Sequence, residues 1–111
     1  MGTRRRPRRA PTGRGNGFAD IDIPNAKDHQ LKAELVREIA LTMKERGLTQ
    51  TAAARVFGAT QPDVSKMLRG HFRQFSVERL MRFLMLLGRD IKITVIPTTR
   101  APQITVTAVA R

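Results

Sequence analysis

Residues 49 to 70, TQTAAARVFGATQPDVSKMLRG, constrain this chain more than any other stretch. Two short runs each begin at a threonine and end at a glycine. Thr49 and Thr60 have the side chain of a helix N-cap, and Gly58 and Gly70 stand where helices stop. The pattern predicts a helix over about 50–57, a tight turn, and a second helix over about 61–69. Pro62 fits the second helix because it falls in the first turn, where backbone N–H groups have no helical partner. Asp63 beside it complements the helix dipole. Ala53, Val56 and Phe57 are placed to face inward from the first helix, and Val64, Met67 and Leu68 from the second. Helices this short bury little alone, so they need flanking elements. Their joint arrangement is that of a helix-turn-helix.

The flanks supply those elements. Leu31, Leu35, Ile39 and Met43 recur every four residues, with Val36 and Ala40 beside them, and predict a helix over about 26–46 that ends at Gly47. Ser76 is a further N-cap, opening a helix that runs to about Leu87 and stops at Gly88. Its apolar stripe, Val77, Leu80, Met81, Phe83, Leu84 and Leu87, is wide enough to imply a deep core position or an added interface. The period then changes to two. Ile91, Ile93 and Val95 alternate with Lys92 and Thr94 up to Pro97, and Ile104, Val106 and Ala108 alternate with Thr105 and Thr107. Both runs read as strands, and a lone hairpin is marginal in water unless something covers it. The resulting division is an Arg-rich tail over 1–17, a helical domain over 18–89, and a β extension over 90–111 that serves dimerisation.

The 111-residue chain carries a formal charge of +12, which implies a polyanionic partner. Its distribution is more specific. The tail holds six arginines and no acid, residues 18–47 sum to −1, residues 48–89 to +5, and residues 90–111 to +2. Within the folded part, positive charge therefore collects on the helix-turn-helix and the segment directly after it. The tail reads as flexible: its Pro- and Gly-interrupted tract has neither the apolar core of a secretory signal nor the amphipathic period of a transit peptide. No cysteine is present, which removes disulfides and thiolate metal sites and is compatible with a reducing cytoplasm. No apolar run reaches membrane-span length.

Gln61, Ser65, Lys66 and Arg69 share one side of the second short helix, away from Val64 and Leu68, at about 3.6 residues per turn. A glutamine amide can read adenine in two contacts, and a lysine can read guanine. Gln50, in the first turn of the preceding helix, is placed to hold a phosphate. Arg73, Arg79 and Arg82 are candidate phosphate contacts, and the Arg-rich tail can track phosphates or enter a minor groove. The bland alternative is a solvated polar face on an ordinary helical hairpin. The two caps, two glycines and the local charge together favour DNA. His29 and His71 are the only histidines, and no spacing sets them among carboxylates for a metal. No serine has an adjacent histidine and no glycine-rich phosphate loop follows a strand, so neither an enzyme nor a cofactor is expected. RNA recognition on an aromatic platform is disfavoured, because there is no Tyr or Trp and the five Phe fit core positions.

The run from Gly47 to Gly70 resembles the Cro/C1-type (XRE) helix-turn-helix, the lambda repressor-like domain. The next run, FSVERLMRFLMLLGRDIKITV, resembles the small antitoxin-like XRE regulators related to HigA antitoxins. The resemblance covers about residues 20–96. It implies a mainly α, four- or five-helix domain with a short C-terminal β element, working as a dimer on palindromic double-stranded DNA in the cytoplasm, at the nucleoid. By position, Gln50 matches the family's phosphate-clamping glutamine, and Gln61, Pro62, Ser65 and Lys66 its base-facing positions, with Thr60, Arg69 and Arg73 completing the DNA-binding set. Pro62 departs from the polar residue common there. Ala52 stands where an acidic residue is common, so a capping box is missing. Phe83, Leu86, Ile93 and Val95 are the candidates for the dimer interface. The alternative is an antitoxin that neutralises a ribonuclease toxin, with Glu34, Glu38 and Glu45 of the net-acidic first helix meeting a basic partner.

Overall fold

Four helices follow in order in a computed structural model that describes residues 25 to 109: α1 (Asn25–Glu45), α2 (Gln50–Phe57), α3 (Gln61–Leu68) and α4 (Val77–Leu86). The Arg-rich segment and residues 18–24 lie outside the described residues. Each short helix starts at the cap its sequence announces. Thr49, Thr60 and Ser76 hold extended backbone and accept from the N–H groups of Ala52, Asp63 and Arg79. Gly58 ends α2 at φ 68°, ψ 33°, a left-handed conformation in which a Cβ would crowd the backbone.

The core forms where α1 lies along α4, with α2 and α3 packed as a pair across it. Leu31, Leu35, Val36, Ile39 and Met43 of α1 meet Val77, Leu80, Leu84 and Leu87, and Ala53, Ala54, Phe57, Val64 and Met67 close the other side. Alanines at two of the buried α2 positions let that helix sit close to its neighbours. The apolar stripes read from the sequence thus form the core, with local departures. Ala40 and Val56 remain exposed, and Thr42 is buried in their stead. The Thr42 hydroxyl both donates and accepts: it donates to the Glu38 carbonyl at 2.8 Å and accepts from Arg89 Nε at 3.3 Å. Arg89 also pairs with Glu45. In the opposite sense, Arg46 donates to the Leu87 carbonyl at 3.0 Å, satisfying an acceptor that the end of α4 leaves open. Two arginines therefore cross-tie the C-terminal ends of α1 and α4.

Two expectations are corrected here. Phe83 is not at an interface surface. It is 2 % exposed, stacked on Phe57 at 4.2 Å between ring centroids and set edge-on to Phe75 at 6.0 Å. The stripe on α4 is wide because α2 packs there as well as α1, with Phe75 of the turn after α3 set against Phe83. Second, no strand forms among the described residues beyond Gly88. The two alternating runs do not pair with each other, because the second is drawn onto α1. Val106 packs against the core and its N–H donates to Glu34 Oε1 at 3.2 Å, while Lys27 Nζ donates to the Pro102 carbonyl at 3.0 Å. The first run is left without a ladder partner, with Ile93 66 % and Val95 91 % exposed.

A core role for Phe83 predicts that Phe83→Ala lowers the unfolding free energy by about 3–5 kcal/mol. Urea titrations at several protein concentrations should return the same loss; a loss that scales with concentration would assign Phe83 to a subunit interface instead.

Candidate nucleic-acid interface

The turn between α2 and α3 is closed by backbone bonds from Gly58 N–H to the Arg55 carbonyl and from Ala59 N–H to the Ala54 carbonyl. With Phe57, Val64 and Met67 buried below it, the turn brings the first residue of each helix to the same place. Gln61 Nε2 donates to Gln50 Oε1 at 2.8 Å. This bond leaves a defined set of free groups. A primary amide has two N–H donors and a carbonyl oxygen with two lone pairs. Gln50 has used one lone pair of that oxygen and keeps both donors, which suit a phosphate oxygen. Gln61 has spent one donor and keeps one donor and its acceptor, which suits the N7 and N6 edge of adenine. The pairing thus leaves two identical side chains with different free groups.

The remaining sequence-named residues surround this pair. Pro62 and Lys66 are exposed one turn apart on α3, Ser65 is half-buried beside them, and Arg69 is exposed at the C-cap. Thr60 accepts the Asp63 N–H on its hydroxyl oxygen, and its O–H is left to donate outward. Arg73 is exposed on the turn after α3. Arg79 does not stand free: its guanidinium lies over the rings of Phe75, at 4.7 Å, and Phe83, at 5.4 Å. Arg82 belongs to a different surface, an apolar groove of about 490 Å³ on the outer side of α4, lined also by Glu78, Met81, Met85, Leu86, Ile91 and Ile93. Leu86 and Ile93 are exposed there, and Val95 is exposed beyond the groove; Phe83 is buried.

On α1, Glu34 receives the Val106 N–H and Gln30, and Glu45 is paired with Arg89. These carboxylates serve the chain's own packing. Among the described residues no three His, Asp or Glu side chains converge as a metal site would require. No helix among them is long and apolar enough to cross a membrane. Sequence reasoning missed the Gln50–Gln61 bond, although both glutamines immediately follow capping threonines, which is the available signal.

The family described as Helix-turn-helix domain matches residues 17 to 96. A solved structure described as an XRE-family transcriptional regulator superposes with a TM-score of 0.73 at 35 % identity, covering 78 % of this chain and 100 % of that one. The chain belongs to the XRE helix-turn-helix family. No curated protein matches it. Family and fold are those of DNA-binding regulators rather than of enzymes. Both matches are to the family as a whole and name no subgroup within it.

The sorting of the two amides predicts that Gln50 and Gln61 act as a unit in this XRE protein. In a double-mutant cycle on duplex binding, Gln50→Ala and Gln61→Ala should show a coupling of about 0.5–3 kcal/mol. Additive losses would mean that the bond has no part in recognition.

Proposed function

We propose that this chain is a transcriptional repressor that reads a palindromic operator as a homodimer and works by occupying it, in the cytoplasm at the nucleoid. The observation that carries the reading is the hydrogen-bonded Gln50–Gln61 pair at the capped starts of α2 and α3, flanked by the exposed cations Lys66, Arg69 and Arg73. In this reading α3 lies in the major groove, Gln61 and Lys66 meet base edges with Ser65 near them, and Gln50, Arg69 and Arg73 hold phosphates. Affinity comes from cations displacing counterions, and specificity from the few side chains that reach bases.

In this reading the dimer forms through the outer side of α4. Met85, Leu86 and Ile93 are exposed around the groove, with Glu78 and Arg82 among its lining residues. A twofold-related copy would set each Glu78 near the other's Arg82 and cover the apolar lining between them, which is the self-complementary arrangement a twofold axis requires. The first alternating run, Ile91 to Val95, borders the same groove and offers its unpaired backbone to the second copy. Because the α1 carboxylates are engaged within the chain, operator occupancy rather than neutralisation of a toxin is the function adopted.

Selection from fragmented genomic DNA, with binding then measured across a salt series, tests the whole reading. A preferred duplex with a steep inverse dependence on salt is expected; a flat response, or binding equal to random DNA, would refute it. Lys66→Ala should relax preference at a single base pair by about 1–3 kcal/mol, whereas Gln50→Ala should weaken all sequences alike. Leu86→Glu should lower dimer content and operator affinity together with helical content preserved. A wild type that sediments as a monomer at tens of micromolar, roughly where a functional dimer persists, would remove the dimer and with it the palindrome.

A further inference from the structure

Lys32 lies on α1, with its side chain 13 % exposed. Its ammonium sits 3.3 Å from Asp28 Oδ2 and donates to the backbone carbonyl of Arg73 at 3.0 Å. One turn earlier on α1, His29 stacks on Phe72 at 4.9 Å between ring centroids and 25° between planes. Phe72 is buried, and its carbonyl receives the Phe75 N–H at 3.1 Å. The turn after α3 is therefore held at two consecutive residues by one face of α1. A charged donor with little exposure, placed on a backbone carbonyl 41 residues away in sequence, is a specific tie rather than a solvated surface cation.

The tie has a directional result. The described peptides are trans, so the Arg73 carbonyl and the Gln74 N–H of the same planar unit point in opposite directions. Drawing the carbonyl toward Lys32 aims the Gln74 N–H away from α1. Among the described residues that N–H donates to nothing, and Gln74 is exposed. A cation on the carbonyl also polarises the peptide and strengthens its N–H as a donor. The exposed Arg73 side chain is adjacent, so the turn presents a cation and an oriented N–H together.

We infer that Lys32 is a positioning residue of the DNA interface: through the Arg73 carbonyl it fixes the turn after α3 so that Arg73 and the Gln74 N–H meet one phosphate of the duplex. The inference rests on the proposed DNA-reading function and assigns to it a residue that touches no DNA itself. Asp28 neutralises Lys32 locally, which makes Lys32 itself a poor phosphate ligand and a good tether.

The test uses the full chain and the duplex selected from genomic DNA. Lys32→Met keeps the aliphatic stem and removes the donor. It should lower affinity about tenfold for preferred and random duplexes alike, the size expected for a charged hydrogen bond to phosphate, and leave base preference unchanged. Arg73→Ala should cost much less in the Lys32→Met background than in the wild type. Lys32→Arg, which retains donors on a similar stem, should restore most of the affinity. Affinity equal to the wild type in a folded Lys32→Met, or losses from Lys32→Met and Arg73→Ala that multiply independently, would overturn the inference. If Lys32→Met does not fold, the wild type decides: the Gln74 amide resonance should shift on adding the duplex, and a Gln74 amide that stays in place overturns it. A wild type that binds no duplex preferentially refutes the DNA-reading function and the inference together. A wild type that binds normally beside an unaffected Lys32→Met refutes the inference alone.

Discussion

The ring of Phe83 lies flat against Phe57 and edge-on to Phe75, and through it α4 holds both the end of α2 and the turn after α3. A helix pair as short as α2 and α3 has too little buried surface to keep its crossing angle unaided. The angle is set because α2 ends on a ring that α4 anchors from below, and α4 is anchored in turn along α1. The two arginine ties at the far ends, Arg46 to the Leu87 carbonyl and Arg89 to Thr42 and Glu45, fix how α4 sits along α1. The placement of Gln50 against Gln61 is thus downstream of aromatic packing more than of anything in the recognition residues themselves.

Charge in this fold divides into groups that hold the chain together and groups left for something else. Arg46, Arg89 and Lys32 are occupied by backbone carbonyls or carboxylates, and Arg79 rests on aromatic faces. Lys66, Arg69 and Arg73 are exposed on α3 and the turn after it. A net charge gives only the sum of the two groups. The distinction between them is what converts a basic composition into a directional surface, since an arginine already desolvated against a ring or a carbonyl has less to offer a phosphate.

Much of the local structure is written in residues whose effect is confined to their own turn. Thr49, Thr60 and Ser76 cap because their oxygens reach an N–H three residues on, and Gly58 ends α2 because a left-handed residue is needed there. Such features depend on no distant partner, so they can be read directly. Phe83 and the C-terminal runs cannot. Whether an apolar residue on α4 faces α1, α2 or a second chain depends on crossing angles absent from a linear pattern, and periodicity of two records alternation without saying what the backbone pairs with. Val106 satisfies its alternation by lying on α1 with its N–H on a glutamate instead of a neighbouring strand. Lys32 is illegible for the same reason: its role is defined by a carbonyl 41 residues away.

The shared hydrogen bond between Gln50 and Gln61 carries a consequence for which duplexes suit such a surface. Because the orientation of one amide depends on the other, the proposed phosphate contact of Gln50 and the proposed base contact of Gln61 would be mechanically joined. In the proposed complex, the distance from a phosphate to an adenine edge must then match the fixed spacing of the pair. That distance varies with groove width and local twist, which differ among sequences that share the same contacted base. In that complex an operator would be defined by its contour as well as by its letters, and base pairs that no side chain touches would enter the choice through the stiffness they give the groove.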